Sequence, residues 1–395
     1  MTTIAVQLSS GVYGPVTPIP AGSIGVTVAP SSYTVAAPDD FFSPAPPSVN
    51  NAITNVFSGA KTIGQDYFGL TFHRYPGGTT LAPKPAFAWA RSHDYAPGSA
   101  RVRWNKIEQV QGVYDWSALD LFVETHKAAG RKIIHTLFGS PSWASARPAE
   151  ACSYENGAAA EPANLAHWDA YCAACASRYK GKIDYYEVWN EPNLTGFYTG
   201  TQTLLAQMTR RASQTIKAID PAAKIISPAV TSLQSGNGQA YFSAMMAASD
   251  GAASNMAAWT DVVGVHLYPN NIAGVASLPT MLSTFMASLS GLGLSGKQVV
   301  NTEFGMLSPK MQQFSKADRS NILARLMLLA AVCSGGCSAS IWYDGDTDSD
   351  IGMTRDDWDS WNAWRLVFLS GPVTLVNVLK DGRVAATINS TNYLM

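Results

Sequence analysis

Residues 183–230 read IDYYEVWNEPNLTGFYTGTQTLLAQMTRRASQTIKAIDPAAKIISPAV: a short apolar run, a loop, a long amphipathic segment and a second apolar run. The middle segment places Leu205, Met208, Ala212, Ile216 and Ile219 on one stripe at helical spacing. Pro221 ends it, because a proline ring cannot continue a helix. The two flanking runs, IDYYEVW and KIISPAV, are short and bounded by turn residues, which predicts strands. Strand, helix and strand in that order are the repeat of a parallel sheet.

The same rhythm extends in both directions. DYFGLTFH, SARVRW, KIIHTLF, IDYYEVW, KIISPAV, DVVGVHLY, KQVVNTEF and SASIWYD recur roughly 30–40 residues apart. SALDLFVETHKAAG carries Ser117 as a cap, puts Leu119, Phe122, Val123 and His126 on one face, and stops at Gly130. Residues 317–333 repeat that logic with Ile322, Leu326, Leu329 and Cys333. Eight such units over residues 61–372 predict an α/β fold, a (β/α)8 TIM barrel. Spacing alone would also permit a doubly wound sheet, but no Gly-rich phosphate loop follows a strand and opens a helix.

Residues 1–60 are Pro-, Gly- and Ser-rich and predict an extended or β segment; residues 373–395 read as strands with a turn at Asp381-Gly382, packed with that segment or with the barrel. Hydrophobic residues make up 47% and charged residues 14% of the 395, enough to bury a large core. A net charge of -1 argues against nucleic acid as a partner, which would need a basic face. No apolar run is long enough for a membrane span, and no secretory signal is visible. An extracellular or surface- or virion-associated setting is expected. Cys172 and Cys175 lie in a helical pattern, and Cys333 and Cys337 bracket Ser-Gly-Gly. A Cys333–Cys337 disulfide and buried free thiols both fit, and zinc does not, since the pairs belong to separate elements.

Catalytic groups of such barrels sit at the C-terminal strand ends. The fourth strand runs into Asn190-Glu191 and the seventh into Thr302-Glu303. Cleaving a glycosidic bond needs one carboxyl to protonate the leaving oxygen and another to attack the anomeric carbon or activate water. Other strand-end candidates for contacting a poly- or oligosaccharide are Tyr268, Trp342 and Trp143, with His135 and His266 near strand ends and His73 less favoured. Core packing or a local hydrogen bond is the alternative for each. Glu187 has the parity of Glu191 but lies deeper and reads as a satisfied interior carboxylate. Asp344, Asp346, Asp348 and Asp350 alternate as in a calcium loop, yet Ser349 and Arg355 break the EF-hand pattern, so a solvated acidic rim is expected. Trp358, Trp361 and Trp364 read as the buried face of the eighth helix.

YYEVWNEPN followed by VVNTEFG resembles the acid/base and nucleophile signatures of clan A retaining glycoside hydrolases, most of all family 39 and its relatives. SARVRWNKIEQVQGVYDWSALD and LFGSPSWA resemble that group's second strand with its following loop, and its third-strand loop; the resemblance covers about residues 66–370. It implies that Glu191 is acid then base, that Glu303 is the nucleophile, and that Asn190 holds the sugar 2-hydroxyl. It also implies that an Arg near the second strand's end orients Glu303, for which Arg103 is preferred to Arg101. Glu191, as the acid, must hold a proton near neutral pH, which the charge of Glu303 and partial burial would favour. The expected activity is double displacement on an O-glycosidic bond, endo-acting on a bacterial exopolysaccharide, with no metal or cofactor. A β-xylosidase-like exo enzyme and a non-catalytic carbohydrate-binding barrel are the alternatives.

Overall fold

Eight parallel strands close into a barrel: β1 (Phe68–Thr71), β2 (Trp89–Arg91), β3 (Lys132–Leu137), β4 (Tyr185–Val188), β5 (Lys224–Ile226), β6 (Val262–Leu267), β7 (Gln298–Phe304) and β8 (Ala339–Trp342). The computed structural model describes residues 54–74, 86–97, 101–231, 233, 236–269, 272–305, 314–346, 353–379 and 382–395, with the paired backbone of Thr2–Ile4 and Tyr33–Val35. The short α1 (Trp104–Ile107) and α2 (Ser117–Ala128) follow β2; α3 (Leu165–Arg178), α4 (Gln202–Ile219), α5 (Asn237–Ala247), α6 (Ile272–Gly291), α7 (Lys316–Val332) and α8 (Arg355–Leu369) follow β3 to β8 in turn. The barrel expectation therefore holds, with one strand misplaced. The second strand is Trp89–Arg91, which pairs with Gly69–Thr71 on one side and Lys132–Ile134 on the other. The described end of SARVRW, residues 101–104, instead leads onto the loop beyond β3, where Trp104 N and Asn105 N donate to the Phe138 and Gly139 carbonyls.

Helix ends follow local chemistry. Thr201 and Ser315 cap α4 and α7 by accepting from Leu204 N and Asp318 N, and Thr354 forms a capping box with Asp357 at α8. Trp116 occupies the cap position of α2, so Ser117 is the first helical residue; its N–H is taken by the Asp115 side chain. Trp358, Trp361 and Trp364 are fully buried on α8, and each indole N–H finds an acceptor.

Thr54–Lys61 pairs antiparallel with Val373–Val378, which continues through Val384–Ile388 to Thr391–Leu394. Thr54–Lys61, at the boundary of the predicted N-terminal segment, thus shares a small sheet with the strands of residues 373–395; most of residues 1–53 and Asp381 lie outside the described residues. All five cysteines are free thiols.

Strand alternation divides the core. Trp89, Ile134, Ile226, Val262, Val300, Ala339 and Ile341 fill the barrel, and residues of the other parity join the helices outside. Gly264 makes room for this filling, since a Cβ there would stand 2.9 Å from both Ile226 Cγ2 and the Ser227 carbonyl oxygen. Gly264→Val should lower the unfolding free energy by about 1–3 kcal/mol, because the carbonyl cannot move aside. An unchanged urea midpoint would show that the barrel floor has slack.

Candidate active site

Above the apolar floor the inward positions change character. Arg91, two residues beyond Trp89, is fully buried, as is Glu187, two beyond Tyr185. The Arg91 guanidinium donates from Nε and Nη2 to Glu187 Oε2 at 2.8 and 2.6 Å, from Nη2 to Asn190 Oδ1 at 2.7 Å, and from Nη1 to Glu303 Oε2 at 2.6 Å. Thr136 on β3 adds a hydroxyl to Glu187 Oε2 at 2.8 Å. Glu187 is the interior carboxylate expected, with its Oε2 taken by Arg91 and Thr136 while Oε1 has no hydrogen-bond partner among the described residues. Burial alone would raise its pKa, but Arg91 and the neighbouring groups outweigh that and hold it below the usual carboxylate range.

Glu303 receives a second donor, the Tyr268 hydroxyl, at 2.8 Å on Oε1. Glu191 meets the His266 ring, Nδ1 to Oε1, at 2.7 Å. Both glutamates are nearly buried, at 7% and 8% exposed. One ligand atom each of Glu191, His266 and Glu303 lies within 4.8 Å of the others, so the two carboxyls face one space. Burial pushes the Glu303 carboxyl above its ordinary range, against the pull of His266, Arg91 and Tyr268. A cation could use these three ligand atoms, but the guanidinium already on Glu303 opposes a second positive charge.

The remaining candidates divide. His266 and Tyr268 reach the carboxyl pair, and Asn190 joins Arg91. Arg103 does not orient Glu303; it stands at the N-cap position of α1 without a side-chain capping bond, lies 3.4 Å from Asp94 Oδ1 and packs over the Tyr154 ring at 4.4 Å. Arg101, two residues before it, precedes the same helix. His135 has the outward parity of β3 and is fully buried between Ser92 Oγ and Tyr171 OH, where burial lowers its pKa to about 3. Trp143 packs on Trp104 and His167 and donates to the Glu108 carbonyl, clear of the carboxyl pair. Trp342 also points outward and meets Phe304 edge-on at 5.0 Å. The next residue, Tyr343, shares the parity of the interior Ile341 and bonds His73 Nε2 at 2.7 Å. Asp344 and Asp346 are buried rather than solvated: the Asp346 carboxylate takes the His73 and Arg74 amides, and Asp344 accepts from Asp346 N. Asp348 and Asp350 lie outside the described residues.

Sequence reasoning missed Arg91, Asp94, Tyr154 and Tyr343. The signal for Arg91 was present, since PAFAWARSHD alternates like a strand and carries a charge at its end. Arg91→Met would leave Glu187 and Glu303 buried without their cation. Unfolding in urea should then cost about 3–5 kcal/mol less than in the parent, with Arg91→Lys between the two. Equal midpoints for all three would mean that the cation does not hold the web.

Residues 163–329, which include both glutamates, match the family described as Glycosyl hydrolase catalytic core. No curated protein matches the chain. Among solved structures, a glucosidase from Croceicoccus marinus is similar at a TM-score of 0.56 and 14% identity, over 85% of this chain and 74% of that one. A monomeric β-xylosidase from Caulobacter crescentus CB15 is similar at a TM-score of 0.55 and 19% identity, over 83% and 73%. A family 39 glycoside hydrolase from the gut symbiont Bacteroides cellulosilyticus WH2 is similar at a TM-score of 0.52 and 18% identity; 77% of this chain aligns, spanning 65% of that one. The chain thus shares its barrel with these enzymes, and residues 163–329 of that barrel match a glycosyl hydrolase catalytic core.

Proposed function

We propose that the chain is a retaining O-glycosidase in which Glu303 is the nucleophile and Glu191 the acid and then the base. The observation that carries this is the separation of the carboxyls. With ligand oxygens inside 4.8 Å, they suit direct attack, which uses carboxyls about 5–5.5 Å apart; inversion needs about 6.5–9.5 Å, to fit a water between.

The partners support the division of roles. Glu303 accepts from Arg91 on one oxygen and Tyr268 on the other, which stabilises the carboxylate that must attack. Among the described residues Glu191 meets no guanidinium; it bonds His266. In the first step a Glu303 oxygen bonds the anomeric carbon, the glycosidic C–O bond breaks, and the Glu191 proton goes to the leaving oxygen. In the second, water gives a proton to Glu191 and attacks the same carbon, releasing Glu303. Asn190 spends its Oδ1 on Arg91 and offers its amide N–H to the sugar 2-hydroxyl beside Glu303.

The substrate class we favour is a poly- or oligosaccharide cut within the chain, a bacterial exopolysaccharide being the leading case. The family 39 resemblance allows both this and exo action, the Pro/Gly-rich residues 1–60 lean toward the former, and product size decides.

Glu303→Gln should lower turnover by about 10⁴-fold or more while leaving glycan binding intact. A panel of polysaccharides and aryl glycosides, with anomers followed by NMR, checks this and should show retention. Inverted product would overturn the mechanism, and a wild type inert on every glycan would favour the carbohydrate-binding reading.

Glu303 must be ionised to attack, so a raised pKa means that activity falls away as pH drops, beginning above the ordinary glutamate value of about 4.3. Tyr268→Phe removes a donor to the ionised form. The acid limb of kcat/KM should move further up in pH, with a loss of about 10²-fold at the optimum. An acid limb that stays in place would separate Tyr268 from the nucleophile.

A further inference from the structure

Beyond the carboxyl pair, a second group of polar side chains lines the same space on the β1, β2 and β8 side. Asp94 stands three residues past Arg91, with a left-handed backbone at φ 61°. Its Oδ2 accepts from the Tyr154 hydroxyl at 3.2 Å and lies 3.4 Å from His93 Nε2; its Oδ1 lies 3.4 Å from Arg103 Nη1. Burial opposes charge on this carboxyl, yet the His93 and His73 rings, Arg103 and Tyr154 together hold its pKa below the usual range. Two facts tie the group to Glu303. Asp94 follows by three residues Arg91, whose Nη1 donates to Glu303 Oε2 at 2.6 Å, and Tyr343, whose hydroxyl bonds His73 Nε2 at 2.7 Å, donates its amide to the carbonyl of Phe304, the residue after Glu303.

The contacts here differ from those of the Arg91 web. There every bond is 2.6–2.8 Å and the charges are spent on one another. Around Asp94 all three are 3.2–3.4 Å, long for bonds to a carboxylate. Its side chain is 16% exposed. A carboxylate with two acceptor oxygens and loose partners can take two adjacent hydroxyls at shorter distance. An anionic sugar would meet Asp94 and Glu303, two negative charges, while Arg103 is already engaged by Asp94 and the Tyr154 ring.

We propose that Asp94, positioned by Arg103, Tyr154 and His93, is a specificity-determining residue that binds a vicinal diol of a neutral sugar beside Glu303 and disfavours uronic acids. This rests on the glycosidase reading of Glu191 and Glu303.

The test compares wild type and Asp94→Asn on β-1,4-xylan, mixed-linkage β-glucan and aryl β-D-xyloside and β-D-glucoside against polygalacturonate and aryl β-D-glucuronide. Wild type should favour the neutral members. Asp94→Asn should lower kcat/KM on them by about 10²-fold, with the melting temperature and the acid limb of the pH profile held. Undiminished kcat/KM in the variant overturns the assignment, as does a wild type that prefers the uronic acids. If Asp94→Asn does not fold, Asp94→Glu keeps the charge and displaces it; a comparable loss supports the proposal, and full activity refutes it. A wild type silent on all six probes and on a panel of bacterial exopolysaccharides removes the glycosidase reading and this inference with it, whereas a selective Asp94 result leaves that reading standing.

Discussion

The guanidinium of Arg91 is the fixed point of this site. A buried charge is costly unless paired and hydrogen-bonded, and Arg91 is both, with Glu187 beneath it, Glu303 across from it and Asn190 beside it. One cation cannot neutralise three neighbouring carboxyls. With Glu187 held ionised, the shortage of positive charge falls on the pair that faces the cleft, and burial raises the pKa of Glu303.

That web keeps its shape because of what lies below and around it. The apolar filling of Trp89, Ile134, Ile226, Val300 and Ile341 excludes water from the underside and supplies rigid strands on which Arg91 and Glu187 are only two residues further along. Loops complete the mouth through polar ties of their own. Asn193 exchanges two hydrogen bonds with the Thr231 backbone, joining the loops beyond β4 and β5. Arg147 spans Glu150, Glu161 and Thr199, joining the loop beyond β3 to the one beyond β4. Exposed pairs of this kind contribute little to stability individually; their use here is to fix loop position.

Much of this was legible in the sequence. The strand–helix rhythm identified the barrel and seven of its strands, because apolar runs bounded by turn residues leave few other structures. Glu191 and Glu303 were legible because each closes such a run. Side-chain direction was less so. His135 and Trp342 stand near strand ends, where function concentrates, but their parity points them outward at the helices; Thr136 and Tyr343, one residue along, face in. The second strand was misread because β2 is only three residues long and SARVRW, a little further on, alternates more visibly. The arginine expected at the end of that strand exists, as Arg91 rather than Arg103.

Parity also shows why both glutamates needed irregular backbone. Val300 fills the barrel and Thr302 lies against Glu187, so a regular strand would turn Glu303 outward; the register shift between Asn301 and Glu303 turns it in. On β4, Tyr185 and Glu187 face inward, and regular alternation would turn Asn190 away from Arg91. Trp189, at φ 63°, breaks the alternation: its ring goes to Phe138, Trp168 and Tyr198, and Asn190 reaches the guanidinium. Glu191 follows at φ 39°. Left-handed residues other than glycine cost of order 1–3 kcal/mol each and persist only where surroundings over-determine them. Here the surroundings are the Arg91–Asn190 bond and the His266–Glu191 bond, so the partners that set the electrostatics of the carboxyl pair also hold the strained backbone that presents it.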